Sequence, residues 1–374
     1  MDVLQVSFFA DPQRRNPERL LADWHSLGDI ADSVAAAGNH VTVIQASHVP
    51  GHVRRNGVDY HFLPPPVDDS LAATPAFRER FTASGAQVVH VHGLGFGRDV
   101  IALRAFAPRT PILLQDHADR PPRLWRRRAW KRGVAAADAV SFCAHAQSRE
   151  FHRPGLLPTT LRVFEIPEST SRFMPGDRAL ARSLTGVHGD PCVLWVGHLD
   201  ANKDPLSVLE GMKLAFDRLP RLMLWCCFGT APLLDAVRHR IDADARLQEC
   251  VRLIGQVPHA RVEQLMRAAD IFVLGSRREG SSFSLIEALA TGLLPVVTDI
   301  PSLRSLTGGG AVGKLWPCGD APALADALVH AAARVGDEER RRVRAHFEKF
   351  LSRAALGRRF TEAYQQLAAA GTGP

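Results

Sequence analysis

The sequence predicts an α/β protein built from two doubly wound parallel-sheet domains. Three observations carry this. At 374 residues the chain exceeds one ordinary domain, so two are expected. Short apolar runs of strand type alternate with helical patterns along most of the chain, as a parallel sheet covered by helices requires. The alternation stops across residues 167–190, which carry Pro, Gly and Ser, and restarts at Cys192.

Taken in order, Val3–Phe9 reads as the first strand and Asp11–Arg19 as a polar loop. Leu20–Ala37 has helical periodicity and stops at Gly38. His40–Ile44, Val58–Leu63, Gln87–His92, Ile112–Gln115, Ala139–Cys143 and Arg162–Ile166 follow as strands. In the second half the strands are Cys192–Val196, Leu222–Phe228, Val251–Ile254, Ile271–Leu274 and Leu293–Thr298. Helical patterns lie between them at Pro205–Leu219, Leu233–Asp242 and Arg261–Ala268. After Gly313–Leu315 the chain is helical, at Ala321–Arg334, Glu338–Leu351 and Arg358–Ala369. The expected division is a domain over 1–170, a linker over 171–190, a domain over 191–352 and a terminal helix within 353–374. In such sheets, ligands sit beyond the carboxyl ends of the strands.

Composition narrows the function classes. The hydrophobic share of 46 % is enough for two cores. No apolar run reaches roughly 18 residues, so no transmembrane helix is expected. The start, MDVLQVSFFADPQRR, lacks a basic n-region and reads as a strand rather than a signal peptide. Six cysteines without C-x-x-C spacing read as buried reduced thiols of a cytoplasmic protein. A net charge of +7 favours anionic partners.

The stretch Ile271–Asp299 organises the second half: a strand, a polar turn, a helix from about Ser282 to Ala290, and another strand. Ser281 and Ser282 are good cap residues, and their backbone N–H groups stand at a helix start, where an anion is welcome. Glu279 and Glu287 flank that start. Carboxylates do not attract phosphate; they hold hydroxyls, such as those of a ribose and a sugar. The stretch therefore suits a nucleotide-sugar.

Glu279, seven residues and then Glu287, inside EG…LIEALATGLLPVV with Gly280 and Gly292 in place, resembles the signature of the retaining GT-B glycosyltransferases of glycosyltransferase family 4. The resemblance implies two Rossmann-like domains facing a central cleft, with the last helix crossing back to the N-terminal domain. It implies that Glu279 faces the donor sugar, that Glu287 holds the ribose hydroxyls, and that Gly280, Ser281, Ser282 and Phe283 line the phosphate. In VLWVGHLDANKDP, Gly197 and Lys203 match the family's G-R-x-x-x-x-K, which grips the donor diphosphate, but His198 stands where Arg is usual. A neutral histidine donates one hydrogen bond and a protonated one two, so the replacement weakens the grip or makes it pH-sensitive. Phe228-Gly229-Thr230-Ala231-Pro232 resembles the family's G-x-G-P turn; Gly229 either meets the nucleotide or simply makes a tight junction. Gln256 and Val257 match the segment whose main chain meets the nucleobase.

The N-terminal half matches only in outline. His117 follows a strand, and the family often has a His there, near the donor sugar's primary hydroxyl. His92 and Gly93 end another strand and are candidate cleft lining, whereas His90 reads as structural. The spacing of His90 and His92 is read as placing them on opposite faces, which makes them poor co-ligands for a metal. The family's Gly-Gly pair after the first strand is absent. Arg14 and Arg15 supply charge in its place, or the loop faces only the acceptor.

Arg120–Arg132 carries seven positive charges, no acid and two Trp. Read as a helix from about Arg123, it has Leu124 facing the core and solvated arginines, or else it is a basic–aromatic patch for an anionic membrane or acceptor. No nucleic-acid-binding signature accompanies it, so no nucleic-acid partner is expected.

The expected activity is transfer of a sugar from a nucleoside-diphosphate sugar, UDP before GDP, to a hydroxyl on a glycan, glycolipid or small molecule. Lys203, His198, Glu279 and His117 are the expected catalytic residues. No cofactor or metal is expected, since no Asp-x-Asp motif ends a strand. The alternatives are a sugar-nucleotide epimerase and a non-catalytic nucleotide-sugar-binding protein. The expected location is cytoplasmic, peripheral at the inner membrane face.

Overall fold

A computed structural model describes residues 1–371, which form two compact units. The first comprises Met1–Thr170 together with the segment from Arg353 onward, and the second Ser171–Ser352.

Among the described residues, the first unit is built on an eight-stranded sheet. Its strands are β1 (Asp2–Ser7), β2 (His40–Ala46), β3 (Gly51–Arg55), β4 (Val58–Leu63), β5 (Val88–His92), β6 (Ile112–Gln115), β7 (Ala139–Phe142) and β8 (Arg162–Glu165). Their spatial order is β3-β4-β2-β1-β5-β6-β7-β8, and the pairs are parallel except β3 with β4. Strands β5, β6 and β7 are buried throughout, so the polar side chains they carry, His90, His92, Gln115 and Ser141, are buried with them. Leu4 and Val6 of β1 feed one core, and Val3 feeds the core on the opposite face. The second core includes Leu356, Phe360, Ala363 and Tyr364 of the terminal helix Arg353–Gly371. Burying each large apolar side chain there contributes about 1.5–3 kcal/mol. Asn39 Nδ2 also donates to Thr361 Oγ1 at 2.7 Å.

Three parts of this unit differ from the sequence expectation. Strand β3 was not anticipated; it forms a hairpin with β4 through Asn56 and Gly57, both at positive φ (53° and 78°), as an Asn-Gly hairpin turn requires. The single helix expected over 20–37 is two, Pro17–Asp23 and His25–Ala36, broken at Trp24. Trp24 leaves the helical path and stacks on Phe9 at 5.6 Å. The helix expected from Arg123 begins at Arg127, after a short turn at Leu124–Arg126, and Leu124 is exposed rather than core-facing.

The second unit carries, among its described residues, β9 (Cys192–Gly197), β10 (Met223–Phe228), β11 (Val251–Gly255), β12 (Ile271–Leu274), β13 (Leu294–Thr298) and β14 (Lys314–Trp316). The order β11-β10-β9-β12-β13-β14, all parallel, is the 3-2-1-4-5-6 order of a Rossmann sheet. The direction of winding reverses between β9 and β12. The crevice beyond their carboxyl ends is therefore where a ligand is expected.

Residues 171–190 are part of this unit and not a bare linker. They contain the helix Arg178–Thr185, capped by the Asp177 carboxylate, which accepts from the Leu180 N–H at 2.9 Å. Arg178 and Arg182 hold the two oxygens of buried Asp270 at 2.6 and 2.7 Å. The signals for this helix, Asp177 and Gly186, were short and lay in a polar context.

Five cysteines are buried and Cys318 is exposed. Burial pushes the Cys192 and Cys250 thiols up to about 12, so they stay protonated and unreactive at neutral pH. Among the described residues no helix is long and apolar enough to cross a membrane.

Candidate functional site

In the second unit, the strand ends at the reversal point supply two loops. The first follows β9 and leads through His198 and Lys203 to Asp204, which caps the helix Pro205–Phe216. The second follows β12 and leads through Glu279 to the helix Phe283–Thr291. They cross at Gly275, where an added Cβ would lie 3.1 Å from the backbone oxygens of both Lys203 and Asp204 and 2.8 Å from Val208. Only glycine allows that approach. Backbone and side-chain bonds then tie the loops. The Arg277 N–H donates to the Asn202 carbonyl at 2.8 Å, Asn202 Nδ2 to the Arg278 carbonyl at 3.0 Å, and Arg277 pairs with Asp204 at 2.6 Å.

This crossing sets Lys203 Nζ against the Glu279 carboxylate, both side chains largely buried. They share the wall of one cavity of about 360 Å³ with Gly197, His198, Gly229, Gln256, Val257, Phe283 and Glu287. Nine of the residues singled out from sequence thus meet in one place. Gly280, Ser281 and Ser282 are buried and do not line it. Ser282 holds the cap position of the helix, but its hydroxyl makes no cap bond and, although buried, has no hydrogen-bond partner.

His198 is exposed, and its Nδ1 accepts from the Thr230 N–H at 3.2 Å. That bond leaves Nε2 as the donor of the neutral ring. An added Cβ on Gly229 would sit 3.3 Å from the ring, so this glycine lets the turn close over His198. Glu287 is held by His259 Nε2 at 2.6 Å, and the His259 ring packs on Phe173 at 4.7 Å. His259 was not anticipated. It lies two residues beyond Val257, and only its partner 28 residues away marks it.

In the first unit, a second cavity of about 270 Å³ lies beyond β1, β2, β5 and β6, lined by Ser7, Phe9, Gln45, His92, Gly93, His117 and Asp119 among others. His90 and His92 stand on the same side of β5, with rings stacked at 4.6 Å. The expectation of opposite faces is corrected: strand side chains alternate, so residues two apart share a face. His90 Nδ1 meets the Tyr364 hydroxyl at 2.7 Å, and burial pushes this histidine down to about 3. His92 Nδ1 lies 3.1 Å from His117 Nε2, and burial also holds His92 well below its ordinary value. His117 Nδ1 donates to Glu168 at 2.7 Å. Burial acts to lower His117, but the Glu168 carboxylate, with Asp119 and Asp116, outweighs it and raises the pKa. Of the two rings, His117 therefore holds a proton the more readily. Asp116 is raised to about 7, chiefly by burial and then by Asp119 and Glu168.

Arg14 and Arg15 do not line this cavity. Arg15 is locked to Asp11 through two bonds of 2.8 and 3.0 Å and to Asp23 at 3.1 Å, and covers the Trp24 ring. Its charge is spent on fixing the loop, which is how a segment without glycine holds its shape. Arg14 is exposed in a left-handed turn with φ 53°.

A family model described as "Glycosyl transferases group 1" matches residues 190–334, and one described as "Glycosyltransferase Family 4" matches residues 25–165. The chain belongs to the GT-B glycosyltransferases of family 4. Among curated relatives, this glycosyltransferase is 26 % identical over 294 residues to a GDP-mannose:cellobiosyl-diphosphopolyprenol alpha-mannosyltransferase of Xanthomonas campestris, covering 75 % of each chain. It is 37 % identical over 144 residues to a phosphatidyl-myo-inositol mannosyltransferase of Mycobacterium leprae, 37 % of this chain and 36 % of that one. Among solved structures, a glycosyltransferase from Rickettsia africae superposes with a TM-score of 0.72 at 14 % identity, over 98 % of both chains. A sucrose-phosphate synthase from Thermosynechococcus elongatus superposes with a TM-score of 0.68 at 20 % identity, over 99 % of this chain and 100 % of that one. At these identities the two structures bear on the fold alone.

Proposed function

We propose that the protein is a retaining glycosyltransferase that moves a sugar from a nucleoside-diphosphate sugar to a hydroxyl of a phosphate-bearing, lipid-linked acceptor. The observation that supports the donor half is the joint lining of one cavity by Gly197, Lys203, Glu279, Phe283 and Glu287. The acceptor half draws on the names of the relatives, which act on diphosphopolyprenol and phosphatidyl-inositol compounds.

In this reading Glu287, oriented by His259, accepts from the ribose hydroxyls. The donor diphosphate competes with Glu279 for Lys203, and the carboxylate so released accepts from hydroxyls of the donor sugar. Lys203 and the backbone N–H groups at the start of the helix Phe283–Thr291 stabilise the diphosphate as it departs. The bond from the anomeric carbon to the diphosphate oxygen breaks, the acceptor oxygen bonds to that carbon on the same face, and the acceptor proton passes to the leaving oxygen. Lys203 supplies the positive charge at the diphosphate, so activity is expected to persist with a chelator present.

Thermal shift with a panel of GDP-, UDP- and ADP-sugars tests the donor half. GDP-mannose comes first, because it is in the name of a relative, and UDP-sugars come next. A donor at about 100 times its Kd stabilises by about 2.7 kcal/mol. Release of nucleotide only when an acceptor is present separates this reading from an epimerase and from a non-catalytic binder.

A further inference from the structure

Beyond Asp119, the first unit has a third cavity of about 710 Å³, larger than the two already described. The helix Gly97–Phe106 and the helix Arg127–Ala135 cross at Gly97 and Gly133, where an added Cβ on Gly133 would lie 2.3 Å from the Gly97 Cα. That contact closes one end of the pair, and the cavity opens beside it. Arg98 comes from one helix, Trp130 from the other, and Arg120, Arg123, Trp125 and Arg126 from the segment before it.

Its charge is one-sided. Among the described residues no carboxylate pairs with Arg98, Arg120, Arg123 or Arg126; Arg98 gives one bond to the Asp68 carbonyl at 3.0 Å, and Arg123 lies over the Trp125 ring at 5.3 Å. By contrast, Arg15, Arg178, Arg182 and Arg277 each pair with a carboxylate. The one acid on the wall, Asp119, already accepts from the Leu94 and His117 N–H groups at 3.1 and 3.2 Å. Trp125, on the wall, is 71 % exposed, and Leu124, next to it in the chain, is 74 % exposed. Planar guanidiniums converging on one space match the oxygens of a phosphate, and an aromatic rim matches an apolar chain.

Asp119 also lines the cavity of His92 and His117, so the two spaces share a wall. We propose that the larger cavity holds the phosphate or diphosphate group of the acceptor, with the apolar chain that carries it lying over Leu124 and Trp125. The acceptor's sugar then reaches the His92–His117 side. This rests on the glycosyltransferase reading and adds to it where the acceptor is gripped.

The probe is farnesyl diphosphate below its micelle-forming concentration, titrated into the full chain with excess UDP and GDP to fill the donor cavity. Calorimetry and tryptophan fluorescence report binding. Saturable binding is expected, weakened about tenfold by Arg123→Gln and about a hundredfold by Arg123→Gln with Arg126→Gln. Trp125→Ala should weaken farnesyl diphosphate but not inorganic pyrophosphate. Equal affinity in wild type and the double variant would overturn the proposal. So would binding confined to phosphatidylcholine vesicles containing phosphatidylglycerol, which would make the patch a membrane contact instead. Nucleotide-sugar binding, measured on the same proteins, stays unchanged if only this inference fails, and is absent from all of them if the donor reading fails.

Discussion

The two units treat charge in opposite ways. In the second unit's cavity each acid has a side-chain partner: Glu279 faces Lys203, and Glu287 is hydrogen-bonded to His259. In the first unit, histidines and carboxylates are buried together around His92 and His117, while four arginines beyond Asp119 have no acid partner among the described residues. A site balanced without ligand must exchange partners when a diphosphate arrives. A site left unbalanced is already in the state that an anion completes. The donor half therefore resembles a preformed lock of paired charges, and the other half an open electrostatic sink.

The predictions break or sharpen that contrast, beginning with the largest effect. Lys203→Ala should lower kcat about 10²- to 10³-fold, as removal of a transition-state donor does, with a smaller change in donor KM. Steady-state kinetics with the donor found by thermal shift checks this. Equal loss in Lys203→Ala and in Lys203→Ala with Glu279→Gln would show that the unpaired carboxylate is not the cause. Glu287→Ala should weaken nucleotide binding about 10- to 100-fold, read by calorimetry, because it removes charged hydrogen bonds to two hydroxyls.

In the first unit, Asp116→Asn should flatten stability against pH. Asp116 is protonated in the folded state up to about 7 but ionises near 3.8 when unfolded, so the folded protein binds more protons between those values. Stability therefore falls as pH rises through that window, by of order 2 kcal/mol, and the asparagine variant should lose that slope in denaturant melts at pH 4 to 8. His117 adds to the same trend, since the stabilisation from its Glu168 pair is present below 6.5 and lost as pH rises through its raised pKa. Glu168→Gln should move the alkaline limb of the activity profile to lower pH without changing donor binding. The smallest effect expected is His198→Arg, which should tighten diphosphate binding by about threefold, since it adds one exposed cation.

Much of the donor half was legible because its chemistry sits next to the elements that shape it. Glu279, Glu287 and Lys203 stand within a few residues of a strand end and a helix start, and the parallel order brings those ends together. The turn after strand β3 is equally legible, in Arg55-Asn56-Gly57-Val58, but the strand's own residues are mostly exposed and carry no apolar run to mark it. The shared face of His90 and His92 follows from strand alternation alone. What sequence could not show were partners far along the chain. Glu168 reaches His117 from beyond β8, Tyr364 reaches His90 from the terminal helix, and Asp11 holds Arg15 in the loop that lacks a glycine pair. Periodicity marks which face is buried, not which distant polar group will meet it there.

The central claim is that the second unit's cavity binds a nucleoside-diphosphate sugar through Glu287 and Lys203. Calorimetric titration of the best donor from the thermal-shift panel into wild type, Glu287→Ala and Lys203→Ala tests it most directly. The account predicts one saturable site in the wild type, weakened about 10- to 100-fold in Glu287→Ala. Unchanged affinity in both variants would contradict it.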